Sequence, residues 1–528
     1  MKRKITVLVI SAIAICMCAW LNRPDYFVST GAALVASGIS SDDLYDVENQ
    51  AKIRSSIDAL IEKNTYTETD PLLIYDAFST NTLSMYAYFT TSQSAKISYT
   101  IHVEDEDISD FSQTLDSEYT TIHEYQLLGL IPDRENTITL HIRYEDGTEN
   151  DYTTTYTVGS LKGSEDVKLE KTTGTSTQEV GDGLYVILGN DSTSEDFMYY
   201  YDNNGILRGE IPIEEYRSHR LLFDGDSMYF SYNTTKMAKM NNLGQITATY
   251  DLGNYELHHD YVFDDDGNIL LLATDTTQNT VEDMIVRLNP DTGEVSLVCD
   301  MGDLFTTYKT AITAANADDD ELDWTHLNTI QWMGNNEILV SSRETSTIVK
   351  ISNLDTTPTI DYMMGEKTFW ADTEYSDLLL EKANSFVSQS GQHSITYVED
   401  DSLDDGQYYL YMFNNNFGFS STNTSYDWTQ VGCATSTKDT SASSNYYMYL
   451  VDENEGTYEL VDSFDVPYSP YVSSVQNLSN TTVVDSGMDY SFQEYDSDHT
   501  LIQSFKMDSE KYIYRVYKYT FDGFYFNK

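Results

Sequence analysis

Along most of the chain apolar and polar residues alternate at a period of two, in short runs broken by Asn, Asp and Gly. That period belongs to half-buried strands, and the breaks to tight turns. Six segments read as a strand, a turn and a second strand: YYYDNNGILRGEI, KMNNLGQITATYDL, VRLNPDTGEVSLVCDM, VKISNLDTTPTIDYMM, YLVDENEGTYELVDSF and QEYDSDHTLIQSF. Four more put a polar residue ahead of the first strand: HHDYVFDDDGNILLLATD from His258, THLNTIQWMGNNEILVSSR from Thr325, QHSITYVEDDSLDDGQYYLYMFN from Gln392 and SSVQNLSNTTVVDSG from Ser473. Repeated hairpins of this kind predict an all-β chain built around a six-bladed β-propeller over 161–528. Long insertions at about 305–323, 370–391 and 417–445 interrupt the repeat. Such insertions gather on one face and often shape a site.

Upstream the pattern differs. LSMYAYFTT, KISYTIHVE and YQLLGLIPDRENTITLHIRYED read as the strands of a small β-sandwich over 71–160. Residues 24–70 read as a connector, in which Ile53, Ile57, Leu60 and Ile61 fall at helical spacing and predict one short helix. Residues 1–23 open with MKRK and continue as an uncharged apolar run from Ile5 to Leu21. This predicts an N-terminal apolar helix serving as a signal anchor or signal peptide, with membrane association through that segment and the rest of the chain exported to the cell envelope. Outside the run only Cys299 and Cys433 remain, and their pairing stays open.

Composition narrows the partners. A formal net charge of −56 argues against nucleic acid, whose phosphates need basic surface. Aromatic residues make up 13% of the chain, which argues against an acidic disordered polymer. No phosphate-cradling glycine motif is visible, so no nucleotide cofactor is expected. Oligomeric state, including a homo-oligomer, is left open.

The chemistry lies in the residues that lead the hairpins. His258, His259, His326 and His393 occupy those positions, four of the nine histidines in the chain. In a hairpin the residue before the first strand lies beside the residue after the second, which sets His326 beside Arg343. Leading residues of different blades then meet near one end of the axis, giving histidines plus an arginine. A histidine at a strand start can also be no more than a hydrogen-bonded polar residue. Three histidines would suit zinc, but Arg343 beside them and the lack of a carboxylate in that position argue for no metal. The guanidinium fork suits an oxyanion better. Asp264-Asp265-Asp266-Gly267-Asn268 could suggest calcium, though a hairpin turn explains it first.

HHD followed by DGNILLLA, DWTHLN followed by ILVSSR, and QHS followed by YLYMFNNN together resemble the signature segments of bacterial aryl-sulfate sulfotransferases that use no phosphoadenosine phosphosulfate. The resemblance extends to the order of parts, a β-sandwich before a six-bladed propeller. It implies transfer of a sulfuryl group from an aryl sulfate to a phenol by a ping-pong route. His393 would be the nucleophile, with His326 and Arg343 on the sulfate and leaving oxygens. One of His258 and His259 would be a further active-site histidine, His259 being slightly favoured. Asn328, Ser473 and Ser474 would lie near the rim and contact substrate. The chain departs from the pattern at Ser394, where an acidic residue is common, which leaves open what orients the imidazole. The rival readings are a non-enzymatic acidic surface propeller that binds a partner or glycan, and a hydrolase in which water replaces the phenol.

Overall fold

The computed structural model describes residues 44–189, 196–318 and 321–528. The expected apolar N-terminal helix lies outside these residues. No helix among the described residues is long and apolar enough to cross a membrane. The helix expected in the connector runs Val47–Lys63, capped by Asp46 through its side chain and burying Ile53 and Ile57.

The first β-unit holds Leu72–Tyr75 through Glu149–Thr157. Its long strand Ser84–Val103 breaks register between Thr90 and Ala95. The first half pairs with Leu72–Tyr75 and Thr120–Leu128, the second with Phe111–Thr114 and Glu135–Tyr144. One strand thus serves two sets of partners. The unit packs on the propeller through a shared core and through polar ties, among them Arg208 Nη2 on the Ser109 carbonyl at 2.7 Å.

Six sheets follow, one per blade, antiparallel except for the short edge strand Glu381–Lys382, which pairs parallel in blade five. Each of the six expected outer hairpins forms the third and fourth strands of one blade counted from the axis, for example Met284–Leu288 with Val295–Asp300 in blade three. The inner strands are Val516–Tyr519, Leu222–Asp224, Tyr255–Phe263, Leu327–Gly334, His393–Val398 and Ser474–Asn477, in blades one to six. The ring closes twice. The C-terminal strand Val516–Tyr519 joins Leu184–Ile187 in blade one, and Glu170–Thr173 adds a fifth strand to blade six. These crossed closures tie the two ends of the propeller segment into opposite sides of one seam.

The axis is sealed by buried charge. Asp260 is fully buried and accepts from Arg220 Nε at 3.0 Å and Nη2 at 3.1 Å, and from Arg515 Nη1 at 2.9 Å. Three blades meet in this ion triad. Burial pushes the Asp260 carboxyl up, but the two guanidinium groups outweigh it and hold it below the usual carboxylate range. The Asp264–Asn268 segment is a hairpin turn, with Asp264 Oδ1 accepting from the backbone N–H of Asp266 and Asn268. Cys299 and Cys433 are free thiols, and burial pushes Cys299 up to about 12.

Candidate active site

At one end of the axis the inner strands break from regular extension. His259 has φ +59° and His326 has φ +48°, both in the left-handed region that non-glycine residues rarely adopt. In blade three the register slips between Leu257 and Tyr261, so His258 and His259 sit inside the inner strand, on a bulge, rather than ahead of it as the pattern suggested. A bulge re-aims side chains, and here it turns His259 toward the next blade. His326 does precede its strand, and its carbonyl accepts the Arg343 N–H at 3.1 Å. His393 is the first residue of its strand.

His259 and His326 face each other, Nε2 to Nε2 at 3.1 Å. His259 Nδ1 meets Tyr514 Oη at 3.1 Å, and that hydroxyl is in reach to donate to the His259 carbonyl, also at 3.1 Å. His259 Nε2 also lies 3.1 Å from Glu282 Oε2, so this nitrogen stands between the carboxylate and His326. His326 Nδ1 sits 2.5 Å from Asp323 and 2.7 Å from Glu282. Burial and Arg343 push the His326 ring down, but Glu282 and Asp323 outweigh them and raise it to about 9. It is an imidazolium at neutral pH, donating through Nδ1 to the carboxylates, with its Nε2 turned toward His259. Glu282 is pushed up by burial, yet His326 and His259 hold it well below the usual carboxylate range.

These carboxylates correct the expectation that none shares the site. Asp323 stands three residues ahead of His326, within the DWTHLN segment itself. Glu282 carried no local signal; it lies between two strands of blade three, at φ +56°. Its neighbour Asp283 is fully buried, and it accepts from Trp324 Nε1 at 2.8 Å and Lys309 Nζ at 3.1 Å. The inserted helix Thr306–Ala315 carries Lys309, so the 305–323 insertion braces this side of the site.

Arg343 Nη2 reaches Glu344 at 3.1 Å and Asp323 at 3.5 Å, whereas its Nε has no hydrogen-bond partner. Glu344 is fully buried, held by Ser420 Oγ at 2.6 Å and the Ser421 N–H at 2.8 Å. An inserted loop of blade five therefore fixes the arginine of blade four.

His393 has a different environment. Its Nδ1 lies 2.9 Å from the Gly391 carbonyl and 2.8 Å from Asn415 Oδ1. Asn415 Nδ2 donates to the Ser469 and Val472 carbonyls at 2.8 and 3.0 Å, which turns its amide oxygen toward the ring. Two acceptors require a proton on Nδ1 and leave Nε2 as a lone pair. Burial lowers the ring to about 3, with the charges on His326 and Arg343 adding to the effect against the Asn415 hydrogen bond. Ser394 plays no part in orienting it. The Ser394 hydroxyl meets Tyr517 Oη at 3.1 Å and the Val475 carbonyl, tying blades.

Other expected residues are engaged by their neighbours. Asn328 is fully buried and donates its amide to the Gln392 carbonyl at 2.7 Å, an inter-blade tie. Ser474 bonds the backbone of Val516, and Ser473 bonds Ser469 Oγ and the Gly487 N–H. These hydroxyls are spent on the scaffold. His258 stands edge-on to His259 at 5.2 Å, with neither ring nitrogen at hydrogen-bond geometry; burial lowers it. His219 was missed by sequence reading: buried and lowered by burial and Arg217, it packs against Tyr514 at 5.6 Å. Its signal was its place just ahead of the inner strand of blade two.

Metal-ligand atoms do gather here. Those of His258, His259 and Glu282 lie within 4.8 Å of one another, as do those of Glu282, Asp323 and His326. In the same clusters Glu282 and Asp323 lie against His326 Nδ1, and Arg343 Nη2 stands 3.5 Å from Asp323. What the arrangement offers is one neutral imidazole with a free Nε2, one imidazolium, and a guanidinium edge.

Residues 169–520 match the model of a family described as Arylsulfotransferase (ASST), and residues 72–159 that of the Arylsulfotransferase Ig-like domain. No curated protein matches the chain. Similar solved structures include a protein of unknown function from Bacteroides caccae, 10% identical, with TM-score 0.38 over 64% of this chain and 98% of that one. The WD40 domain of Toxoplasma gondii coronin is 9% identical, with TM-score 0.32 over 65% and 75%. An auxiliary nutrient binding protein from Bacteroides thetaiotaomicron VPI-5482 is 10% identical, with TM-score 0.30 over 80% and 94%.

Proposed function

The chain belongs to the arylsulfotransferase family and is a sulfotransferase, and from that premise we propose that it moves the sulfuryl group from an aryl sulfate to a phenol through a sulfated His393. The observation that carries this reading is the tautomer of His393. Gly391 and Asn415 hold the proton on Nδ1, so Nε2 is a nucleophile at every pH above about 3.

In the first half-reaction His393 Nε2 bonds to sulfur and the sulfur–aryloxy bond breaks. The leaving phenolate takes the proton of the His326 imidazolium, shared across its Nε2 with His259, and departs as a phenol. A phenol ionises near pH 10, like tyrosine, and leaves poorly without that proton. Arg343 offers Nε to the sulfuryl oxygens, on which a loose transition state gathers charge. In the second half the acceptor phenol gives its proton to the now neutral His326 pair. Its oxygen bonds to sulfur, and the nitrogen–sulfur bond breaks to restore His393. One covalent intermediate divides the transfer, which is a ping-pong scheme.

The test uses the intact chain with 4-nitrophenyl sulfate alone. The peptide holding His393 should gain one sulfuryl group by mass spectrometry, and added phenol should remove it. Release of nitrophenol without that adduct, or at equal rate with and without phenol, would replace the scheme with direct transfer or hydrolysis. We also place the catalytic body outside the cytoplasm. What supports this is the basic-then-apolar segment over 1–23, and protease accessibility in intact cells checks it.

A further inference from the structure

Resting on the sulfuryl-transfer reading, we infer that Phe419, with Phe417 and Tyr471 behind it, is the platform on which the aryl ring of both donor and acceptor lies. Among the described residues Phe419 is the only exposed phenylalanine, at 41%. Its ring is nearly parallel to that of buried Phe417, 15° between planes and 5.8 Å between centroids, so one face is backed and the other open. Phe417 in turn meets Tyr471 edge-on at 5.2 Å.

Two independent ties set this trio beside the reacting groups. On one side, Phe419 is followed directly by Ser420 and Ser421, which clamp the Glu344 carboxylate that holds Arg343. The Tyr471 hydroxyl, raised mainly by burial, also feels Arg343 and Glu344. On the other side, the Phe417 N–H donates to the Ser390 carbonyl at 3.2 Å. Its own carbonyl crowds Gly391, where an added Cβ would stand 2.8 Å away and where φ is +62°. Gly391 is the residue whose carbonyl holds the His393 ring. The platform is thus hung between the support of the arginine and the support of the nucleophile.

The loop is fixed from behind as well. Gly418 N–H donates to the Ala434 carbonyl at 2.8 Å, and a Cβ on Gly418 would strike Cys433 Sγ and the Trp428 side chain. A rigid exposed aromatic face tied through Ser420, Ser421 and Glu344 to the Arg343 guanidinium suits a flat ring joined through oxygen to sulfur, since offset stacking favours aromatic partners. In a ping-pong route donor and acceptor occupy the same place in turn, so one platform serves both.

The experiment is steady-state kinetics of the intact chain with 4-nitrophenyl sulfate and phenol, for wild type, Phe419→Ala and Phe419→Trp. Phe419→Ala should raise KM for donor and acceptor alike by about ten-fold, with a smaller change in kcat, and Phe419→Trp should recover both KM values. Inhibition by inorganic sulfate, which has no ring, should keep its constant in Phe419→Ala. KM values insensitive to Phe419→Ala in an active wild type, or a rise for one substrate only, overturn the shared platform alone. A sulfate constant weakened as much as KM also overturns it, because the loop would then act only through Glu344 and Arg343. A wild type inactive with both substrates overturns the sulfuryl-transfer reading and the platform with it.

Discussion

His393 of blade five and His326 of blade four lead neighbouring inner strands at one end of the axis, yet one is neutral and the other cationic. His393 gives its Nδ1 proton to two neutral acceptors, a backbone carbonyl and an amide, and burial lowers it to about 3. His326 has its Nδ1 between Asp323 and Glu282, and these outweigh burial and Arg343 to raise it to about 9. The lesson is that burial sets a common penalty on the charged ring, and the acceptor chemistry at Nδ1 decides whether that penalty is overcome. A neutral acceptor fixes the tautomer and produces a nucleophile; a carboxylate fixes the proton and produces an acid. One residue type thus fills both roles across a single blade interface.

The comparison breaks most sharply at the nucleophile. His393→Ala should lower the rate of nitrophenol release at least about 10³-fold while circular dichroism stays that of the wild type, because the lost group has no substitute in the site. A rate within ten-fold of wild type would mean that His393 is not the group that attacks.

Exchanging carboxylate for amide on the other side probes the acid. Asp323→Asn removes one of the two carboxyl groups that raise His326, leaving Glu282 against burial and Arg343. The donor half-reaction, followed as the pre-steady-state release of nitrophenol, should lose rate in wild type as pH rises through about 9. In the variant that limb should move down by about one to two pH units, an order of magnitude in rate near pH 8.5. An unmoved limb would assign the proton elsewhere.

Asn415→Ala leaves the Gly391 carbonyl as the only acceptor at His393 Nδ1. The tautomer is then held less firmly, and kcat should fall by roughly ten-fold, within the range usual for general positioning effects. The alkaline limb belonging to His326 should stay where it is, which separates the two sides in one measurement.

The smallest effect is on stability. The folded His326 ring is raised above its unfolded value near 6.5, so its contribution is complete below that pH and is lost as pH rises through about 9. The full shift corresponds to at most about 3 kcal/mol, shared among coupled groups. Thermal denaturation should therefore show a falling Tm over that window in wild type, and His326→Gln should flatten it.

Local pattern carried most of the architecture. Period-two alternation and Asn/Asp/Gly turns are properties of neighbouring residues, and all six outer hairpins and the Val47–Lys63 helix follow from them. The pairing of His326 with Arg343 was legible for the same reason, since hairpin geometry relates the two ends of one strand pair. The bulge that seats His258 and His259 within their strand was not, because a register slip depends on what the next blade presents. Asn328, Ser473 and Ser474 stood in promising positions, but Asn328 and Ser474 bond backbone of adjacent blades, and Ser473 bonds the Ser469 hydroxyl and the Gly487 N–H.

What the sequence by itself determined is the number of blades, the order of parts and the residue types brought to the axis. Only the tertiary structure decided which of those residues are charged. Glu282, Asp323, Glu344 and Asn415 come from four separate connections, and only the Ser420–Ser421 clamp on Glu344 shares one of them, that of Asn415. Ionisation depends on distance and burial in space, which a period along the chain does not encode.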